Sequence, residues 1–584
     1  GVWEVVGGGA SGGVLVRTGK DTKSAESPDG RLSTGSLIAE LEVDGDRMRY
    51  TLLNGSGPKD GWIGTKFKGK ALILRAGEEG TRAAKEEAEI AAAKKGEGAA
   101  SSKGRVWLLP QGSRGDTQPF LALAVGLRKA GYTPRMLAGS NFQGFIEAQG
   151  IDFTSYGPDS RKEITDGSKA QGEPSKEGQA EIKQKIAEMK AAGVDESQIK
   201  ATDLMGTPGF EGDMLNEAFL SERMVKEKAR TIMALLKTEQ PDVVIVHGLS
   251  GAASFICQKL HGTPTFQFDF VPLTAGAWLD PGSLQGGLDD LKASHCKWIE
   301  EAVGVNPLED VTLDTWVEWN KTNVFAMCTP LIFEALLAMA QPMPAETLES
   351  LRGVCKGSLI LDASTQMKDL KDFGGVANLK KLQDYIDAGT PPWYVGWGSM
   401  PLPIAIGMKM VLTLKVNKFR AIICGGWANL TLEAFKAEVL KMDPTDMMGL
   451  IPYAETLCWV DVAPHEWLFP RCCATLHHGG AGTTIAALRA GVPTCITPVA
   501  CDQVQHGEFV TNNGWGKHFS LLSNPDKMMD PTWGKPMREC TKDATIIANA
   551  KANGEKLRKE DVVGDMVKFF GGIVDERKAK ATAA

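Results

Sequence analysis

The sequence predicts an α/β chain: two Rossmann-like domains facing a crevice, preceded by a small all-β module for which an SH3-like barrel is the expectation. Three observations carry that reading. The tetrads 106–109 and 243–246 have the unbroken hydrophobicity of parallel strands buried on both faces. Each is followed by a turn and a helical period, and the alternation resumes from Trp393 onward. Before residue 76, short β-type runs alternate instead with Gly, Ser, Asp and Pro turns.

Within residues 1–75, the runs 14–16, 47–53 and 71–74 read as strands, with Trp3 and Trp62 to anchor a small core. An appended structural module is expected there, with protein binding as the sharper alternative. Residues 76–104 are rich in Ala, Glu, Lys and Gly and show no apolar face, so they read as a charged, part-helical linker. The first Rossmann-like domain is placed at 105–345. It opens with the strand 106–109, a turn from Gln111 to Asp116, and a helix begun by Pro119 and ended by Gly131. A strand at 135–138, a helix at 142–148 and a strand at 151–155 follow. The polar run at about 158–205 reads as a partly disordered surface insertion. A helix at 217–238, the strand 243–246, a helix at 252–260 and a strand at 265–270 complete the half.

Residues 346–390, punctuated by Pro and Gly, are taken as the interdomain segment. The second domain is placed at 391–575, with strands at 393–395, 421–424, 456–460, 474–477 and 494–496 and a closing helical stretch at 544–572. Two such halves leave a crevice between the C-terminal edges of their sheets, where ligands bind in open α/β folds.

Composition narrows the function. A formal net charge of −7 and the lack of a basic stripe or nucleic-acid motif argue against a nucleic-acid binder. The 11 cysteines are odd in number and scattered without CxxC spacing, which suits buried thiols in a reducing, cytoplasmic compartment. No His/Cys spacing suggests a metal site, so none is expected. No apolar run approaches the ~20 residues of a membrane span, and no signal peptide is evident. The chain opens on Gly1, so a preceding targeting segment stays open.

The richest motif runs from Pro464-His465-Glu466-Trp467-Leu468-Phe469-Pro470-Arg471 through His477-His478-Gly479-Gly480-Ala481-Gly482-Thr483-Thr484 to Asp502-Gln503. A strand ends in two histidines, a glycine-rich turn follows, and a helix starts near Thr483. Glycines admit a close approach of backbone to a diphosphate, and the helix N-terminus supplies free N–H groups and a positive dipole end. His478 and the Thr483 hydroxyl add donors. Asp502 and Gln503, at the same edge, form an acid–amide pair suited to sugar hydroxyls. A tight strand-to-helix connection is the bland alternative for the turn taken alone.

Taken together, these motifs resemble the donor region of the family 1 (GT-B) glycosyltransferases, and most closely the sterol 3-β-glucosyltransferases. Trp393 to Met400 is similar to the family's YVGFGSM strand and turn, and Gly112 to Pro119 to the loop after its first strand. The resemblance covers about residues 105–525. It implies an inverting hexosyltransferase, with UDP-glucose as co-substrate and no resident cofactor. Ser399, His465, His478, Gly479, Gly480, Ala481, Gly482, Thr483, Asp502 and Gln503 would then hold the donor. Asp116 would be the base that takes the proton from the attacking hydroxyl, a helix cap being its other reading. Arg114, His247 and Phe270 would lie on the acceptor side, facing an apolar hydroxylated molecule such as a sterol. Peripheral membrane contact is expected from such a substrate and not from any anchor seen here. Where the plant small-molecule enzymes stack the base on tryptophan, this chain has a position near Val462, and the loop before Asp502 lacks the usual aromatic residues.

Other classes stay in view. The same donor motifs would serve transfer to another lipid or to a polyketide-type aglycone. A non-catalytic scaffold is opposed by the intact Asp116, His478, Thr483, Asp502 and Gln503. A dehydrogenase is opposed by the lack of GxGxxG spacing with an acidic residue ~20 positions on.

Overall fold

In the computed structural model the chain divides into two compact units, residues 1–101 and 102–584. The structure describes residues 2–6, 13–33, 36–54, 57–67, 70–75, 102–162, 176–191, 220–270, 281–330, 353, 355–368, 373–400, 404–428, 430–499, 502–519 and 534–583. The linker at 76–101, most of the insertion (163–175 and 192–219) and the aromatic run after Phe270 lie outside the described residues.

The first unit holds β1 (Val2–Val5), β2 (Val14–Arg17), β3 (Glu26–Leu32), β4 (Leu37–Asp44), β5 (Arg47–Asn54), β6 (Asp60–Gly64), β7 (Lys66–Phe67), β8 (Lys70–Ala71) and β9 (Ile73–Arg75). Seven of these form one antiparallel sheet in the order β3-β2-β6-β5-β4-β1-β9, and β7 pairs with β8. Alternate residues point inward, as a half-buried strand requires. Val5, Val14, Val16, Ile38, Met48, Tyr50 and Ile63 make the core. Trp62 is buried, whereas Trp3 is half-buried and donates to Glu40 Oε2 at 2.8 Å.

The second unit contains two parallel six-stranded sheets. The first comprises β10 (Arg105–Leu109), β11 (Thr133–Ala138), β12 (Asp152–Ser155), β13 (Val243–His247), β14 (Thr265–Asp269) and β15 (Val324–Ala326), in the order β12-β11-β10-β13-β14-β15. The second comprises β16 (Trp393–Gly396), β17 (Ala421–Cys424), β18 (Cys458–Val460), β19 (Ala474–His477), β20 (Thr494–Ile496) and β21 (Gly516–His518), in the order β18-β17-β16-β19-β20-β21. Each sheet reverses direction of growth beside its first strand. The reversals fall between β10 and β13 and between β16 and β19, and crevices open at such points.

The first half carries helices α1 (Arg114–Lys129), α2 (Gln143–Glu147), α3 (Lys176–Ala191), α4 (Glu222–Leu236), α5 (Ile256–His261), α6 (Pro281–Asp290), α7 (Lys297–Val303) and α8 (Leu313–Asn323). The connector holds α9 (Ala363–Lys368) and α10 (Gly375–Asp387). The second half carries α11 (Ile404–Asn417), α12 (Leu432–Met442), α13 (Leu450–Ala454), α14 (His465–Leu468), α15 (Ala481–Ala490), α16 (Gln503–Asn512), α17 (Gly534–Lys542), α18 (Ala544–Leu557) and α19 (Val562–Ala583).

The central strands are buried on both faces for a reason visible in their composition. Val106 and Leu108 join the cluster under α1, while Trp107 and Leu109 join the one under α4. The last helix returns to the first half: Val562, Met566, Phe570 and Val574 recur every four residues and enter the core beneath α1. Gly126 on α1 makes that approach possible, since a Cβ there would sit 2.6 Å from Val563.

Several expectations need correction. The helix expected from Pro119 begins at Arg114, because Ser113 caps it and Pro119 lies inside it. The helix expected near Thr483 begins at Ala481. The polar insertion contains the 16-residue α3, whose Ile182 packs against the core of the second half. Each sheet has a sixth strand, β15 and β21, that the sequence reading lacked; both are three residues long, too short to show a period. The closing stretch is two helices, α18 and α19, not one. Among the described residues no helix is long and apolar enough to cross a membrane.

Candidate active site

The loop after β10 turns at Gly112, whose φ of +122° is one that glycine tolerates. A side chain there would strike Asp116 Oδ2 at 2.3 Å, so glycine also makes room for the carboxylate. Asp116 folds back and accepts the Ser113 backbone N–H at 2.6 Å, completing a capping box in which Ser113 Oγ caps the first turn of α1. Both sequence readings of Asp116 thus meet in one residue: Oδ2 serves the cap, and Oδ1 faces His247 Nε2 at 3.8 Å.

His247 ends β13, the strand paired with β10. Its Nδ1 accepts the Leu249 N–H at 3.1 Å, which leaves the ring proton on Nε2, toward Asp116. Burial lowers its pKa, with Asp116 opposing, and its ring stacks on Phe270 at 5.7 Å. The structure therefore joins Asp116, His247 and Phe270. Sequence reasoning set His247 and Phe270 together on the acceptor side but did not pair them with Asp116, although neighbouring strand ends at a sheet reversal were the signal. Arg114 is placed differently: its guanidinium lies 4.2 Å from the Phe145 ring and 4.4 Å from the Phe373 ring, clipped between the first half and the connector.

Opposite, β19 ends at His477, Gly479 takes φ +94°, and Gly480 is the N-cap of α15 with no side-chain cap. The first N–H groups of α15 are left for another acceptor. His478 is wedged against glycines: a Cβ on Gly480 would fall 2.4 Å from its Nε2, and one on Gly398 3.0 Å from its Cε1. These two glycines therefore seat an imidazole, and only Gly482 is open, facing Gly115 of α1 at 3.8 Å. Burial pushes His478 down to about 4, so it is neutral at physiological pH. Among the described residues its Nδ1 is buried without a hydrogen-bond partner. Among the described residues the Ser399 and Thr483 hydroxyls make no protein hydrogen bond, and Ala481 and Gly482 fill the first turn between them and the loop.

The remaining donor-side candidates are more occupied. His465 Nε2 lies 3.1 Å from the Tyr394 hydroxyl and its ring stacks on Phe469, with burial holding its pKa down to about 3. Gln503 Oε1 accepts the Val499 N–H at 2.8 Å, so part of its amide shapes the loop before it. Asp502, at the N-cap of α16, is raised above the usual carboxylate range by burial, while His506 pulls it down and Asp116 across the crevice pushes it up. Two carboxylates from separate halves thus lie within each other's field. His506 was absent from the sequence reading because a histidine inside a helix carries no motif.

Residues 431–561 match the family model described as erythromycin biosynthesis protein CIII-like, C-terminal domain. Among curated proteins, a sterol 3-beta-glucosyltransferase of Arabidopsis thaliana is 27% identical over 426 residues, 70% of this chain and 59% of that protein. One from Aspergillus terreus is 26% identical over 483 residues, 79% of this chain and 29% of that protein. The chain thus spans well under two thirds of the length of either relative. Among solved structures, the kitacinnamycin glycotransferase aligns over 80% of this chain and 99% of its own, with 14% identity and a TM-score of 0.49. In sequence the chain is similar to the sterol 3-beta-glucosyltransferases over most of its length and, over residues 431–561, to the CIII-like C-terminal domain.

Proposed function

We propose that this chain transfers a hexose, glucose from UDP-glucose, to the hydroxyl of a sterol-like acceptor with inversion at the anomeric carbon. The observation that carries the reading is the convergence of two unlike helix starts. The capped α1 presents Asp116, the uncapped α15 presents free N–H groups, and Gly115 and Gly482 bring them together. In this reading the diphosphate rests on the first turn of α15 with His478, Ser399 and Thr483. Asp502 and Gln503 meet the sugar. Asp116 takes the acceptor proton as the hydroxyl oxygen bonds to the anomeric carbon and the bond to the diphosphate breaks. Charge then grows on the leaving oxygens, where fixed donors stabilise it without reorganising.

Transfer to a polyketide-type aglycone is a second reading, favoured by the matched family model over the donor half. Incubating the full chain with labelled UDP-glucose and a panel of sterols and aromatic polyketides separates the two. Label in a sterol glucoside supports the first, and label only in a polyketide glycoside the second. Label in neither, with no nucleotide bound, overturns both.

A further inference from the structure

Both polar groups of Gly479 are held by histidines. Its N–H donates to His477 Nδ1 at 3.0 Å, and its carbonyl lies 2.7 Å from His506 Nδ1. A carbonyl only accepts, so His506 carries its proton on Nδ1. The same nitrogen is 3.4 Å from Asp502 Oδ2, one turn earlier in the chain. His506 is 2% exposed. A Cβ on Gly479 would fall 2.7 Å from Ile496 and 3.1 Å from the Gln503 carbonyl, so this backbone is pressed against the first turn of α16. In a trans peptide the Gly479 C=O and the Gly480 N–H point in opposite directions. A bond that draws the carbonyl toward α16 therefore turns the Gly480 N–H away from it.

We propose that His506 is a positioning residue whose Nδ1 proton, shared between the Gly479 carbonyl and Asp502, sets the diphosphate turn and the sugar-side carboxylate as one unit. The inference rests on the donor-site reading above. It assigns the histidine a task that volume alone does not meet. A ring without a donor would fill the space but release both acceptors, one of them a buried carbonyl.

The test uses the full chain, with UDP and UDP-glucose titrated calorimetrically into His506→Phe, His506→Asn and His506→Gln. The Asn amide nitrogen occupies the place of Nδ1, whereas that of Gln falls nearer Nε2. Losing one charge-assisted bond predicts UDP-glucose binding about 10- to 100-fold weaker in the Phe and Gln variants, and UDP alone about threefold weaker. The Asn variant stays within about threefold of the parent for both ligands. A role in packing alone would instead lower the melting temperature and leave the ratio of the two affinities unchanged, which overturns the proposal. Equal behaviour of the Asn and Gln variants overturns it too, and that pair suffices if the Phe variant does not fold. If the parent chain binds neither ligand, the donor-site reading fails and takes this inference with it. If the parent binds both and all variants match it, only this inference fails.

Discussion

The two halves of the second unit share a frame and differ in what they place on it. In each sheet the strand beside the reversal ends in a histidine, His247 in one and His477 in the other. Each accepts through Nδ1 the N–H two residues on, from Leu249 and Gly479. There the likeness stops. His247 points its Nε2 at a carboxylate, and the chain continues into a 3₁₀ turn, Gly248–Ser250. Among the described residues His477 Nε2 is buried without a hydrogen-bond partner, and the chain runs through Gly479 and Gly480 straight into α15. The helix starts differ in the same sense. α1 is closed by its own Ser113 and Asp116, so its dipole end already meets a negative charge, whereas α15 has none. One frame thus yields a half fit to accept protons and a half fit to hold anions.

Removing the carboxylate should break this comparison hardest. Asp116→Ala is expected to lower transfer about 10²- to 10⁴-fold and, by opening the capping box, to cost about 1 kcal/mol of stability. Asp116→Asn retains an oxygen for the Ser113 N–H, so it should lose the same activity with little change in melting temperature. Transfer that survives in the Asn variant would leave Asp116 a cap only.

The anion-holding half can be probed at two glycines of the same turn, Gly480 and Gly482. Gly480→Ala drives a methyl into His478 at 2.4 Å, whereas Gly482→Ala meets nothing nearer than 3.8 Å. Overpacking of that kind typically costs 1–3 kcal/mol, so UDP affinity should fall about tenfold or more in the first and little in the second. The reverse order, read by calorimetry, would mean that the glycines serve ligand approach and not the imidazole.

What the sequence disclosed follows from where the information lies. Parallel strands such as Val243–His247 are uniformly apolar and bounded by turns, so five of the six in each half were legible, in their order of appearance. The glycine-rich turn and Asp116 were legible because a local spacing reports them. The pairing of Asp116 with His247 was not, because 131 positions separate residues that only the order β10-β13 makes neighbours. The ring contacts of Arg114 were not legible either, because Phe145 and Phe373 come from α2 and from just before α10. His506 was missed for the same reason: its partner Gly479 lies on another element.

The two site histidines, His478 and His247, should also differ in their response to acid. Burial lowers His478 to about 4, His465 to about 3 and His477 well below its ordinary value. The unfolded chain therefore binds protons that the folded chain refuses. Stability is fully present above the ordinary histidine pKa of about 6.5 and is lost as pH falls toward the folded values, by at most about 1.4 kcal/mol per pH unit for each histidine. Asp502 and Glu466, raised by burial, act in the opposite sense, since their folded forms keep protons longer as pH rises. In the first half His295, lowered by burial to about 4, acts in the same sense as His478, and His247, lowered with Asp116 opposing, adds a smaller term. Melting curves between pH 7 and 5 should flatten in His478→Gln by about one proton's slope and change less in His247→Gln. Equal slopes in the two variants would mean that the two site histidines contribute alike.

The smallest effect concerns the clip between the halves. The Arg114 guanidinium lies against two rings that stand 82° apart, and lysine preserves the charge without the flat, delocalised group. Arg114→Lys should therefore cost about 0.5–2 kcal/mol in thermal unfolding, since Phe145 belongs to α2 and Phe373 to the connector. UDP affinity should change less than about threefold, because the proposed seat of the anion is the start of α15 and not that of α1. An unchanged melting temperature with a raised acceptor KM would return Arg114 to the acceptor side, where the sequence first placed it. The acceptor half would then carry a charge aimed at substrate as well as a base, and the contrast between the halves would narrow to their helix caps.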